Sequence, residues 1–154
     1  VKNNSSLKSN NTLLNWTRSE EKKMKLNNIN TYRKFFLNVK KHKATLIDVL
    51  KKISKNNQKV IGYGASTKGN VILQFLKINP KLIPLIVEVN KFKFNKFTPG
   101  SKIKIVSEKM IKKIKPDYML VLPWHFKNFI LEKEKNFLNN GGKLIFPLPE
   151  VEIY

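Results

Sequence analysis

A chain of 154 residues is one domain's worth, long enough to bury roughly 70% of the surface its unfolded form exposes. It has no cysteine, which excludes a disulfide framework and thiolate-held zinc or iron–sulfur centres. It also has no apolar run near the ~18 to 20 residues of a membrane span and nothing with the order of a signal peptide, so a cytoplasmic chain with no membrane partner is expected. The formal net charge of +21 points toward a polyanion, but the cations are lysines save Arg18 and Arg33 and are spread along an asparagine-rich chain. Neither arginine forks nor aromatic platforms are gathered in one place, which favours compositional bias over nucleic-acid binding.

The chain opens on Val1 and the polar VKNNSSLKSNN, as a segment cut from a larger polypeptide would. Residues 1 to 16 read as a linker or arm, with Leu13, Leu14 and Trp16 clustered as if to dock on a neighbouring surface. Thr17 and Glu20 have the spacing of a capping box and predict a short helix. From Thr31 to about Asn56, the residues Tyr32, Phe35, Phe36, Val39, Leu46, Val49, Leu50 and Ile53 form a helical stripe opposite lysines, a long amphipathic helix. His42 within it reads as a packing or surface residue. Residues 1–29 are thus expected to be a linker or arm with a short helix, and residues 30–154 the folded domain.

Strands and helices then alternate. Strands are predicted at Val60–Tyr63, Leu82–Val89, Ile103–Val106, Tyr118–Leu122 and Lys143–Phe146. Helices are predicted at Asn70–Ile78, from an N-cap at Ser107 to before Pro116, and at Phe126–Asn139. Asn79-Pro80, Pro99-Gly100 and Gly141-Gly142 mark the stops and turns. This pattern predicts an α/β, Rossmann-like fold: a mainly parallel five-stranded sheet in the order 3-2-1-4-5, helices on both faces, and the long amphipathic helix in front. In that order the loop at 62–69 and Pro123-Trp124-His125-Phe126 meet at the carboxyl edge of the sheet, where ligands of open α/β sheets bind.

The stretch VIGYGASTKGN is close to two phosphate-binding motifs and matches neither. Gly62 and Gly64 supply two glycines of Gly-x-Gly-x-x-Gly, but Thr67 stands in the third place. Gly64 to Gly69 has the interval of a P-loop, but Asn70 and Val71 follow instead of Lys and Ser or Thr. A turn that opens a helix still offers free N–H groups beside a positive dipole end, with Ser66, Thr67 and Lys68 to reinforce an anion. Glu88 lies about 20 residues on, where an acidic side chain accepts a ribose hydroxyl. Tyr63 and Trp124 could stack on a base or sugar, and His125 is the one histidine near the predicted crevice, a candidate general base. An NAD-binding oxidoreductase domain and a basic nucleic-acid module stay open at this point.

Four stretches in order, GYGASTKGN, NKFTPGSKI, PDYMLVLPWHF and GGKLIFPLPE, resemble the C-terminal domain of the S-adenosylmethionine-dependent sugar C-methyltransferases, over about residues 30 to 152. The resemblance implies a Rossmann-like domain that closes over a nucleotide-linked sugar. It implies that S-adenosylmethionine binds on a separate methyltransferase domain of the same polypeptide, with residues 1 to 28 leaving that domain. This domain would then hold no cofactor and no metal, and would be inactive alone. It further implies that Gly62, Tyr63, Gly64, Ala65, Ser66, Lys68, Gly69 and Asn70 line the substrate side, Lys68 countering phosphate and Asn70 bonding phosphate or sugar. Where the family commonly has an Asp at the end of the second strand, this chain has Glu88.

Overall fold

The structure, a computed structural model, describes residues 11–154. Most of the predicted arm lies outside the described residues. The chain divides into two units, the first ending at Lys41 and the second running from His42 to Tyr154.

In the first unit, helix α1 spans Asn11–Lys23, and α2, Ile29–Lys55, begins there and continues into the second unit. The helix thus starts at least six residues before the predicted cap, and residues 11–16 are helical rather than extended. Thr17 lies inside α1, where its hydroxyl donates back to the Leu13 carbonyl at 2.9 Å instead of capping a free N–H. Between the helices, Thr31 Oγ1 donates to the Lys25 carbonyl and Tyr32 Oη to that of Leu26.

In the second unit the strands are β1 (Val60–Tyr63), β2 (Leu85–Glu88), β3 (Lys104–Ser107), β4 (Tyr118–Val121), β5 (Lys143–Phe146) and β6 (Glu152–Ile153). Their order is β3-β2-β1-β4-β5-β6, parallel except that β6 runs antiparallel to β5. The predicted order of five is correct, and β6 adds a sixth strand. Two residues are too few to show alternation, so β6 carries no periodic signal in the sequence. Leu144 and Tyr154 exchange both backbone hydrogen bonds at that edge. At the opposite edge, residues 95–98 turn back along β3 through Asn95 N–H to the Ile105 carbonyl, Ile105 N–H to Lys96, and a bridge between Phe97 and Lys104.

The side chains of each strand alternate between two cores, as a sheet covered on both faces requires. On one face Val60, Ile86, Tyr118, Leu120 and Ile145 pack with Leu46, Leu50 and Ile53 of α2 and with Ile72 and Leu73 of α3 (Thr67–Phe75). On the other, Ile61, Tyr63, Val87, Met119, Leu144 and Phe146 meet α4 (Ile111–Ile114), α5 (Lys127–Lys133) and α6 (Lys135–Asn139). The predicted helix at 126–139 is therefore split. A 3-10 turn, Trp124–Phe126, ends on its first predicted residue, and Glu134 breaks helical geometry between α5 and α6 at φ −98°, ψ 18°. Leu46 and Leu50 are fully buried, each contributing on the order of 1.5–3 kcal/mol by leaving water.

Candidate functional site

β1 ends at Tyr63 and the chain turns at Gly64, whose φ of +77° an L side chain rarely adopts. A Cβ there would also sit 2.8 Å from the Pro123 ring. The glycine turn and the 123–126 segment therefore do meet, with Leu122 N–H donating to the Tyr63 carbonyl at 3.0 Å. Ser66 is the N-cap of α3: its hydroxyl accepts from Gly69 N–H at 2.9 Å and donates to the Leu122 carbonyl at 3.2 Å. A Cβ on Gly69 would lie 2.4 Å from Leu122 Cβ, so Gly69 allows the close helix–sheet approach that the third fingerprint glycine gives elsewhere. The sequence spacing placed that duty at Thr67, two residues earlier, and so missed it.

Glu88, at the end of β2, is buried directly against this turn. Its Oε2 accepts from Ala65 N–H at 2.9 Å, and its Oε1 accepts from Val89 and Asn90 N–H at 2.8 and 3.0 Å. Lys93 bridges the carboxylate (3.3 Å) and the Ala65 carbonyl (2.9 Å). Burial alone would raise the Glu88 pKa, but the two N–H donors and the Lys93 ammonium outweigh it and hold the carboxyl below the usual glutamate range. One donor of the turn is thus taken by an internal carboxylate, and these bonds leave the N–H groups of Thr67 and Lys68 at the helix start.

Two cavities flank Ser66. The larger, about 560 Å³, is a mainly apolar crevice at the carboxyl edge of β1, β2 and β4. Tyr63, Gly64, Ser66 and Glu88 line it together with Phe126 of the segment expected at this edge, and with Val89, Phe129 and Lys133, which sequence reasoning did not single out. The smaller, about 280 Å³, lies between the start of α3 and the loop before β3, against Ala65, Ser66, Thr67, Asn70, Lys93, Lys96 and Phe97. A third cavity of about 640 Å³, between α4 and α6, shares only Glu108 and Lys133 with the crevice, and none of residues 62–69 lines it.

At the back of the crevice Tyr63 Oη donates to Glu134 Oε1 at 2.8 Å. Lys133 pairs with Glu108 at 2.7 Å, its ammonium 5.5 Å from the centre of the Tyr63 ring. Burial pushes the Tyr63 phenol up to about 12; Lys133 works against that rise and Glu134 adds to it. Burial would lower Lys133, but its bonds to Glu108 and Tyr63 prevail and raise it above the ordinary lysine value. At neutral pH the crevice therefore presents a neutral phenol and the Lys133–Glu108 ion pair.

Of the other sequence candidates, Gly62, Lys68, Trp124 and His125 line neither of the two cavities beside Ser66. Lys68 is exposed at the start of α3. Trp124 packs against both cores. His125 is exposed, and its ring contacts are with Trp124 and Phe126, with no orienting carboxylate among the described residues. Gly62 lies inside β1, where a Cβ would meet Ile86 Cγ1 at 2.6 Å, so its role is to let two strands pack. Asn70 lines the smaller cavity, and its Oδ1 is buried without a partner. Among the described residues no cluster of three His, Cys, Asp or Glu side chains could hold a metal, and no helix is long and apolar enough to cross a membrane.

A doubly wound sheet with a glycine turn, a helix start and an apolar crevice at its switch point defines a Rossmann-like α/β domain. The chain belongs to the C-methyltransferase C-terminal domain family, whose model matches residues 1–149. It is 32% identical over 135 residues to the C-methyltransferase NovU of Streptomyces niveus, an alignment covering 88% of this chain and 32% of that protein. The chain thus spans about a third of the length of that curated relative.

Proposed function

We propose that this chain is the nucleotide-sugar-holding part of a cytoplasmic, S-adenosylmethionine-dependent sugar C-methyltransferase, and that a methyltransferase domain of the same polypeptide binds the methyl donor. The observation that carries the reading is the apolar crevice beside the glycine turn, with Lys133 at its back and Lys93 at its side. An apolar wall suits a base or deoxysugar ring, and Lys93 and Lys133, each already paired with a carboxylate, Glu88 and Glu108, would share their remaining N–H donors with a diphosphate. Gly64, Ala65 and Ser66 shape the turn, while Gly62 and Gly69 let it pack. Glu88 braces it, Tyr63 walls the crevice, and Lys68 and Asn70 face ligand from the start of α3. Trp124 supports the 124–126 turn from the core, and His125 stands at its surface.

The site does not fit the adenosine of the methyl donor in the dinucleotide manner. The acidic residue at the ribose position, Glu88, already accepts three N–H groups and a lysine. No transfer step is therefore assigned to this chain, and catalysis is expected only with the donor domain present.

Amide NMR during titration with a thymidine diphosphate sugar tests the reading. Shifts gathered at Gly64, Ser66, Gly69 and Lys133, reduced at least fivefold in affinity by K133A and K68A, are expected. The same shifts produced by NAD, or a response to short DNA alone spread over the lysine surface, would overturn it.

A further inference from the structure

The apolar residues of α2 follow steps of three and four: Ile29, Tyr32, Phe36 and Val39, then Lys43, then Leu46, Leu50 and Ile53. That spacing keeps a seam on one side of a helix along its length. The last three positions are buried in the second unit. The first part of the same seam is uncovered: Ile29 is 62% exposed, Tyr32 50% and Phe36 54%, with Phe35 beside them at 67%. No described residue before His42 is buried. Half of the large exposed apolar side chains among the described residues fall between positions 13 and 37, Trp16 of α1 among them. Single exposed apolar side chains are ordinary on a protein surface; a concentration on two successive helices marks an interaction surface.

Charge decides what covers it. Residues 11–41 carry eight Lys or Arg against two Glu, so two copies brought face to face would oppose like charges. The complementary surface is an apolar strip with an acidic rim. We propose that α1 and the uncovered half of α2 dock such a face on the methyl-donor domain of the same polypeptide. Naming that domain rests on the function proposed above, whereas the chemistry of the partner rests on the seam and its charge alone.

The probe is a designed helical peptide of four heptads with Leu at the seam positions and Glu flanking them, titrated into the labelled full chain. Saturable shifts at the Trp16 indole and at amides 29–39 are expected, weakened at least tenfold by F36K, whose sheet amides should be unmoved. Equal binding by a Lys-flanked peptide, or no binding of either, would overturn the docking surface. A concentration-dependent dimer in sedimentation that F36K abolishes would overturn it in favour of a second copy. Peptide binding without any response to the nucleotide sugar would overturn the naming of the partner. Nucleotide-sugar binding without peptide binding would overturn the docking surface alone.

Discussion

Gly69 and Glu88 set the geometry of the glycine turn from opposite sides. At Gly69 the hydrogen in place of a methyl lets α3 lie against Leu122, and G69A forces Leu122 or the Ser66 cap to move. The expected cost is about 1–3 kcal/mol, read as a shift in urea midpoint without a change in slope. At Glu88 the folded carboxyl titrates below the unfolded value of about 4.3. Its stabilisation is therefore complete above that value and is lost as the pH falls through the lower folded pKa. E88Q should be less stable than the natural chain at pH 7, and thermal melts should show the gap closing in strongly acid solution. Glu88 was legible as a residue of the site because it ends a strand about 20 residues past the turn. Its partners were not, since the pairing with Ala65 exists only once β1 and β2 lie side by side. Phe129 and Lys133 were hidden for a related reason: the spacing reveals an apolar stripe but not which of its residues stand at the sheet's edge.

Among the elements, α2 carries two different tasks on one seam. L50A removes a fully buried side chain and is expected to cost about 2–5 kcal/mol. F36A, on the same stripe, should change stability of the isolated chain by only about 0.5 kcal/mol or less, as calorimetry of both variants would reveal. This helix and all five parallel strands were legible because each carries an apolar stripe or run, interrupted in α2 only at Lys43. It misplaced the start of α1, since Ser or Thr three residues before Glu occurs inside helices as well as at their ends. There Thr17 satisfies its hydroxyl by bonding back to the preceding turn. Glu134, which separates α5 from α6, likewise gives no local sign, because its side chain is committed to Tyr63 across 71 residues of chain.

For the whole molecule the net charge of +21 is set against six ion pairs among the described residues, most of them with exposed partners. Exposed pairs contribute little, so self-repulsion should dominate the salt response. Raising NaCl from about 50 mM to about 500 mM shortens the screening length severalfold and is expected to raise the melting temperature by a few degrees in a fluorescence melt. A fall in melting temperature would mean that attractive pairs outweigh the repulsion. The sheet's two borders bear on a different hazard. One is occupied by residues 95–98 folding back along β3, and the other ends in the two residues of β6. Neither leaves a long row of unpaired main-chain groups for a foreign strand to template on. Even at the high local concentrations of an overproducing cell, this chain is therefore guarded against fibril growth through its sheet, and its assembly has to be written in side chains.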